Sequence, residues 1–159
     1  MDSLVNVALS DYIGAKYLTV TENDKMTIYR GELPNQEQQM LGMEKVLEQQ
    51  LGFIPSSLDI YGNNQLIVAR DEKQVAVFDC ETGKLYQYSL DSETVFLIDG
   101  YMVGEILDGK LTVMDFDGTN KRLLTESDGP ALITRNNKWL YYLKIDKDQI
   151  NLTREKIIE

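Results

Sequence analysis

The amino-acid sequence predicts an all-β fold of about four repeated antiparallel sheets, carried as a single domain over residues 1–159 with one short helical insertion near residues 35–52. Three observations carry that prediction. A strand-like run, a turn rich in Gly, Asn or Asp and a second strand-like run recur along the chain; the recurring hairpins keep a near-constant spacing; and the central strands are apolar on both faces.

The hairpins come first. Tyr17–Val20 and Met26–Arg30 flank Glu22-Asn23-Asp24, and Leu66–Ala69 and Val75–Asp79 flank Asp71-Glu72. Met102–Leu107 and Leu111–Phe116 flank Asp108-Gly109, and Trp139–Ile145 and Ile150–Arg154 flank Asp146-Lys147-Asp148. A further strand precedes each pair: Leu4–Leu9, Ser57–Tyr61, Thr94–Ile98 and Ala131–Thr134. Lys84–Leu90 and Lys121–Thr125 trail the second and third units after Thr82-Gly83 and Asp117-Gly118. Gly, Asn and Asp suit these turns because they tolerate the positive φ of tight hairpin loops.

Side-chain alternation shows how the units pack. In Val75–Asp79, Val75 and Val77 oppose Ala76 and Phe78; in Leu111–Phe116, Leu111 and Val113 oppose Met114 and Phe116. A sheet covered on one side alternates apolar with polar, so strands apolar on both faces belong to sheets sandwiched between neighbours, as propeller blades are. Hairpin starts at Leu18, Leu66, Val103 and Leu140 lie 48, 37 and 37 residues apart, so the first unit carries an insertion. Asn35 followed by Gln38, with Met40, Met43, Val46, Leu47 and Leu51 at helical spacing, predicts a short helix within Pro34–Gly52; the competing reading is a trailing strand over Met43–Gln50.

Two stretches resemble known propellers. Val77-Phe78-Asp79-Cys80-Glu81-Thr82-Gly83-Lys84-Leu85 is similar to the Asp-x-x-Thr-Gly-Lys turn of quinoprotein-like and tryptophan-aspartate-type blades. Val113-Met114-Asp115-Phe116-Asp117-Gly118-Thr119-Asn120-Lys121-Arg122-Leu123-Leu124-Thr125 resembles a blade of the periplasmic Tol-system propeller and its bacterial envelope relatives. The resemblance covers the second and third units, and the first and fourth follow in outline. It implies a propeller-like array, incomplete or a fragment, in an extracytoplasmic bacterial envelope. Some envelope relatives pair such propellers with a PEGA domain, of which no segment is visible. The fourth unit stops after its third strand, so either further blades of the same protein complete the array or Leu4–Leu9 closes it.

Composition narrows the function. With 16 basic and 26 acidic residues the formal charge is −10, which repels nucleic-acid phosphate and anionic lipid alike. No apolar run is long enough to insert in a bilayer, and no basic segment followed by an apolar run opens the chain. The absence of histidine removes the commonest general base, the Ser-His-Asp and Cys-His relays and most zinc and haem sites. Neither a glycine-rich phosphate loop nor a Gly-x-Ser-x-Gly elbow occurs.

The remaining signals are weaker. Cys80, the single cysteine, lies between Asp79 and Glu81, whose charges oppose a thiolate, so it reads as a strand-end residue. Asp115 and Asp117, like Asp146 and Asp148, stand two apart as in calcium loops. Counted from Asp115, Glu126 falls at position twelve but Gly118 falls at four instead of six, so these aspartates read as turn formers. Asn151-Leu152-Thr153 is a glycosylation sequon, relevant only to a eukaryotic secretory setting. Trp139 and Tyr141, with Tyr86 and Tyr88 on another strand, read first as core packing of the sheets, and a carbohydrate- or peptide-binding interaction surface is the rival role that makes them the candidate site residues.

The expectation is therefore a non-catalytic interaction or scaffold module with no catalytic residue, cofactor or metal site. Its partner is another protein, further blades of the same protein, or a second copy joined through the edge strand. The alternative is a carboxylate-dependent hydrolase or lyase domain acting on a polysaccharide or peptide.

Overall fold

The structure is a computed structural model that describes residues 4–32, 42–91, 94–98, 102–128, 131–133, 139–147 and 149–156. Among these every regular element is a strand, and no helix is long and apolar enough to cross a membrane. The first sheet is β1 (Val5–Tyr12), β2 (Ala15–Glu22), β3 (Lys25–Gly31) and β4 (Met43–Gln50). The second is β5 (Ser57–Tyr61), β6 (Leu66–Arg70), β7 (Gln74–Asp79) and β8 (Lys84–Ser89). The third is β9 (Thr94–Ile98), β10 (Met102–Leu107), β11 (Lys110–Asp115) and β12 (Arg122–Glu126); the fourth is β13 (Ala131–Ile133), β14 (Trp139–Asp146) and β15 (Gln149–Lys156). Each sheet runs in sequence order, every neighbour antiparallel. These are propeller-type blades, the fold class that the hairpin repeat predicts.

The turns follow their residue types. Ile13-Gly14 joins β1 to β2 at φ 49° and 76°, and Asp108-Gly109 joins β10 to β11 at 50° and 73°. At Gly109 a Cβ would lie 2.4 Å from the Ser127 carbonyl oxygen, so both backbone angle and space require glycine. Asn63 and Asn64 take φ 52° and 70° between β5 and β6.

The chain divides into two compact units, Met1–Leu90 and Asp91–Glu159. In the first, Tyr17, Met26 and Ile28 of the first sheet pack with Ile67, Ala69, Ala76 and Phe78 of the second, beside Leu51 and Cys80. The Tyr17 and Phe78 rings sit 6.2 Å apart and tilted by 55°, and the Tyr17 hydroxyl donates to the Cys80 carbonyl at 3.1 Å. Asn6 Nδ2 donates to the Pro55 carbonyl at 3.2 Å, Ser10 Oγ to the Asn64 carbonyl, and Gln87 Nε2 to the Leu51 carbonyl at 3.0 Å. Each bond satisfies a polar group at the margin of an apolar joint, where leaving it bare would cost stability.

In the second unit Leu111, Val113 and Met114 of β11 are buried, covering both faces of that strand. In the fourth sheet Leu140 and Tyr142 are buried together on one face of β14. The β13 side of β14 is closed further along by Asp128, whose N–H donates to the Leu143 carbonyl at 2.9 Å and whose Oδ2 accepts the Ile145 N–H at 2.8 Å.

The helix expected near residues 35–52 is corrected over the part that is described. Met43–Gln50 is strand β4, antiparallel to β3, as the competing reading had it. The cause is a β-bulge: Ile28 pairs Leu47 while Tyr29 pairs Lys45, leaving Val46 as the extra residue. The bulge sets Leu47 on the face opposite Met43, so the apolar residues Met43, Val46 and Leu47 leave the period-two alternation of a strand and fall at the three-and-four spacing that imitates a helix. Residues 33–41 lie outside the described ones. Leu4–Leu9, offered as the strand that closes the array, leads into β1, which pairs with β2 along its whole length as the first strand of the first sheet.

Candidate functional site

The β14–β15 hairpin carries the candidate surface. Its register sets Trp139 opposite Lys156, Tyr141 opposite Arg154, Leu143 opposite Leu152 and Ile145 opposite Ile150. Because side chains alternate along a strand, these eight share one face and Leu140, Tyr142, Thr153 and Glu155 share the other. The second face is the covered one: Leu140 is fully buried, and the Tyr142 hydroxyl lies 3.3 Å from Glu155 Oε2, to which it donates. The first face is open, with Ile145 55% exposed, Ile150 70% and Leu152 67%.

Trp139 and Tyr141, predicted as surface aromatics, lie half-buried on this open face. The Arg154 guanidinium lies over the Trp139 ring with its carbon 4.3 Å from the centroid, a cation–π geometry. The aromatic signal in the sequence fell on this face but missed its most exposed members, Ile145, Ile150 and Leu152. The readable signal was there: Ile150-Asn151-Leu152-Thr153 alternates apolar with polar over a strand.

Tyr86 and Tyr88 lie in the other compact unit. On β8 they pair with Val77 and Val75, so they flank side chains that are 0% and 2% exposed, and both rings are half-buried. The two tyrosines share a face with each other, and Trp139 and Tyr141 share a different one.

The acidic residues of the motif turns are bound within those turns. Asp79 is 2% exposed, and its Oδ1 accepts from Gln65 Nε2 at 2.9 Å and the Glu81 N–H at 3.0 Å, while Oδ2 accepts from the Thr82 hydroxyl at 2.8 Å. Asp117 Oδ1 accepts the Thr119 N–H at 2.9 Å, and Asp115 Oδ2 accepts Asn120 Nδ2 at 2.6 Å. These are Asx-type turn bonds, which keep a reversing chain from exposing bare backbone donors. Burial, reinforced by the Asp79 charge, pushes the Cys80 thiol up to about 12, so it stays protonated at neutral pH.

One hollow of about 470 Å³ gathers charge at the β6–β7 turn, lined by Ser56, Asp71, Glu72, Lys73 and Gln74. Asp71 Oδ1 is engaged there by the N–H groups of Lys73 at 2.7 Å and Gln74 at 2.6 Å. Among the described residues no group of three acid, cysteine or histidine side chains is arranged to hold a metal ion.

No family model matches this chain. No curated protein matches it either. Solved structures do. A protein of Bacteroides fragilis provisionally named a 6-phosphogluconolactonase is 15% identical with a TM-score of 0.47, over 96% of this chain and 55% of that one. Its counterpart from Bacteroides uniformis is 13% identical with a TM-score of 0.48, over 98% and 55%. TolB from Acinetobacter baumannii is 14% identical with a TM-score of 0.40, over 96% and 41%. The chain thus spans about half the length of the first two structures and less of the third.

Proposed function

We propose that this chain is a non-catalytic protein-interaction module whose contact surface is the open face of the β14–β15 hairpin. The observation that supports it is the row Tyr141, Leu143, Ile145, Ile150 and Leu152, an apolar stripe bordered by Arg154 and Lys156. Exposed apolar stripes with a polar rim are characteristic of protein contact sites, and Trp, Tyr and Arg are the residues that most often anchor them. The engagement of Asp71, Asp79, Asp115 and Asp117 in their own turns supports the non-catalytic half of the reading. The Tol-like sequence of the third sheet supports a bacterial envelope setting.

The rival is a carboxylate-dependent hydrolase or lyase, and the hollow beside Asp71, Glu72 and Lys73 is the observation that favours it. An assay separates the two. Polysaccharide and peptide substrates are incubated with the wild-type chain and with Glu72→Gln. Equal, background-level turnover is expected; turnover that Glu72→Gln abolishes would replace the interaction reading by the enzymatic one.

A further inference from the structure

Two irregular features of the first compact unit meet at one hollow. The first is the bulge of β4, which leaves Val46 as the extra residue and 41% exposed. The second is the turn after β7, held in shape by the Thr82 hydroxyl donating to Asp79 Oδ2 at 2.8 Å and the Gly83 N–H donating to the Asp79 carbonyl at 2.8 Å. Between them the first and second sheets leave a hollow of about 260 Å³, lined by Tyr17, Arg30 and Val46 from one sheet and by Phe78, Thr82 and Gly83 from the other. All of these residues belong to Met1–Leu90.

The hollow has an apolar floor and one positive charge. Tyr17 and Phe78 supply the floor as buried core residues. Arg30 is exposed at the margin, its guanidinium carbon 5.7 Å from the Tyr17 ring centroid in a cation–π placement. Among the described residues no carboxylate forms an ion pair with it. Glu81 also borders the hollow, but its carboxylate is engaged by Gln65 Nε2 at 3.0 Å, and the same amide donates to Asp79 Oδ1 at 2.9 Å. A lone guanidinium beside apolar side chains matches one carboxylate joined to an apolar group, because its planar fork takes both carboxylate oxygens. A dianionic phosphate would keep an unmet charge beside Asp79 and Glu81, in a chain of formal charge −10.

We propose that this hollow captures the C-terminal residue of a peptide, with Arg30 binding the terminal carboxylate and an aliphatic side chain resting against Tyr17, Val46 and Phe78. Its volume is small for a cofactor or ring system and accommodates one residue, while the solvent side lets the rest of the peptide leave. The site shares no residue with the β14–β15 face, so it goes beyond the interaction surface above and stands or falls independently of it.

The test follows backbone amide NMR shifts of the full chain as N-acetyl-Gly-Gly-Leu is added. Saturable shifts at Tyr17, Val46 and Gly83 are expected, with a Kd of about 1 mM or tighter. The same peptide with a C-terminal amide should bind at least about tenfold more weakly, and so should the free acid to Arg30→Gln, because each loses a charge-assisted contact. Val46→Glu, at an exposed position, should abolish binding by setting a like charge beside the carboxylate; circular dichroism checks that each variant is folded. The amide peptide needs no variant, so the test holds even where a substitution unfolds the chain. An absence of saturable shifts up to about 10 mM overturns the proposal. So does an amide that binds as tightly as the acid, or an Arg30→Gln chain that binds as tightly as wild type.

Discussion

Strands β7 and β15 hold the same place, third in an antiparallel meander, and reach opposite extremes. Val75, Ala76, Val77 and Phe78 are at most 2% exposed, while Ile150 and Leu152 stand at 70% and 67%. Ordinal place in the sheet therefore does not decide burial: β7 lies between β6 and β8, whereas among the described residues β15 borders β14 alone. The side chains differ as well: β7 is apolar on both faces, whereas β15 places Asn151, Thr153 and Glu155 between its apolar residues. One strand asks for cover on two sides, and the other on one side only.

The largest contrast is expected from truncation. Phe78→Ala, which empties a buried site against Tyr17 and Ile28, should cost about 3–5 kcal/mol in denaturant unfolding. Leu152→Ala should change stability by about 0.5 kcal/mol or less, as ordinary surface substitutions do. A Leu152→Ala cost near that of Phe78→Ala would erase the difference between the two strands.

Next in size is the turn that ends β7. Asp79→Ala removes the acceptor of the Gln65 amide, the Glu81 N–H and the Thr82 hydroxyl in a buried setting. A loss of about 1–3 kcal/mol follows from leaving such donors unmatched. The matching change at the exposed turn, Asp117→Ala, should cost less, because water replaces the lost acceptor at Thr119.

A gain is expected at the first hairpin. Ile13 is β-branched, 84% exposed and held at φ 49°, a conformation that asparagine tolerates far better. Ile13→Asn creates the Asn-Gly pair favoured in two-residue turns and should stabilise the chain by about 1 kcal/mol, seen as a higher denaturant midpoint with an unchanged slope.

These effects bear on what the sequence could show. The hairpins were legible because strand alternation and Gly, Asn or Asp turns agree at each of them, and local agreement of that kind is what specifies a fold. Strand β4 was masked by its bulge, which shifts Leu47 out of step with Met43, and by an outer position that imposes little demand for apolar residues. In the candidate site, Trp139 and Tyr141 stood out because aromatic residues are chemically conspicuous. The aliphatic Ile150 and Leu152 look like core residues in any sequence, and their exposure shows only in the structure, where among the described residues no strand lies beyond β15.

The smallest effects are those of pH. The Cys80 thiol is raised from its ordinary 9.0 to about 12 by burial and by the Asp79 charge. Above pH 9 the unfolded thiol ionises while the folded one does not, so its contribution is intact below pH 9 and is lost as pH rises towards 12. Burial raises Tyr17 and Tyr61 as well, which deepens the alkaline loss. Alkylation of Cys80 at pH 8 should therefore track unfolding; fast modification of the folded chain would contradict this protected setting. On the acid side, Lys45 and Lys25 lower Glu48, and Lys121 lowers Asp91, so their contributions are present above the carboxylate range and fade as pH falls through the folded values. Both carboxylates are exposed, and salt should screen the effect away.

Native-state hydrogen exchange, followed residue by residue, compares β7 and β15 most directly. Amides of Val75–Asp79 should be strongly protected, because their cover lies within the chain. Outward amides of Gln149–Lys156, bordered by no described strand, should exchange much faster. Protection of β15 as high as that of β7 would contradict the contrast between the two strands.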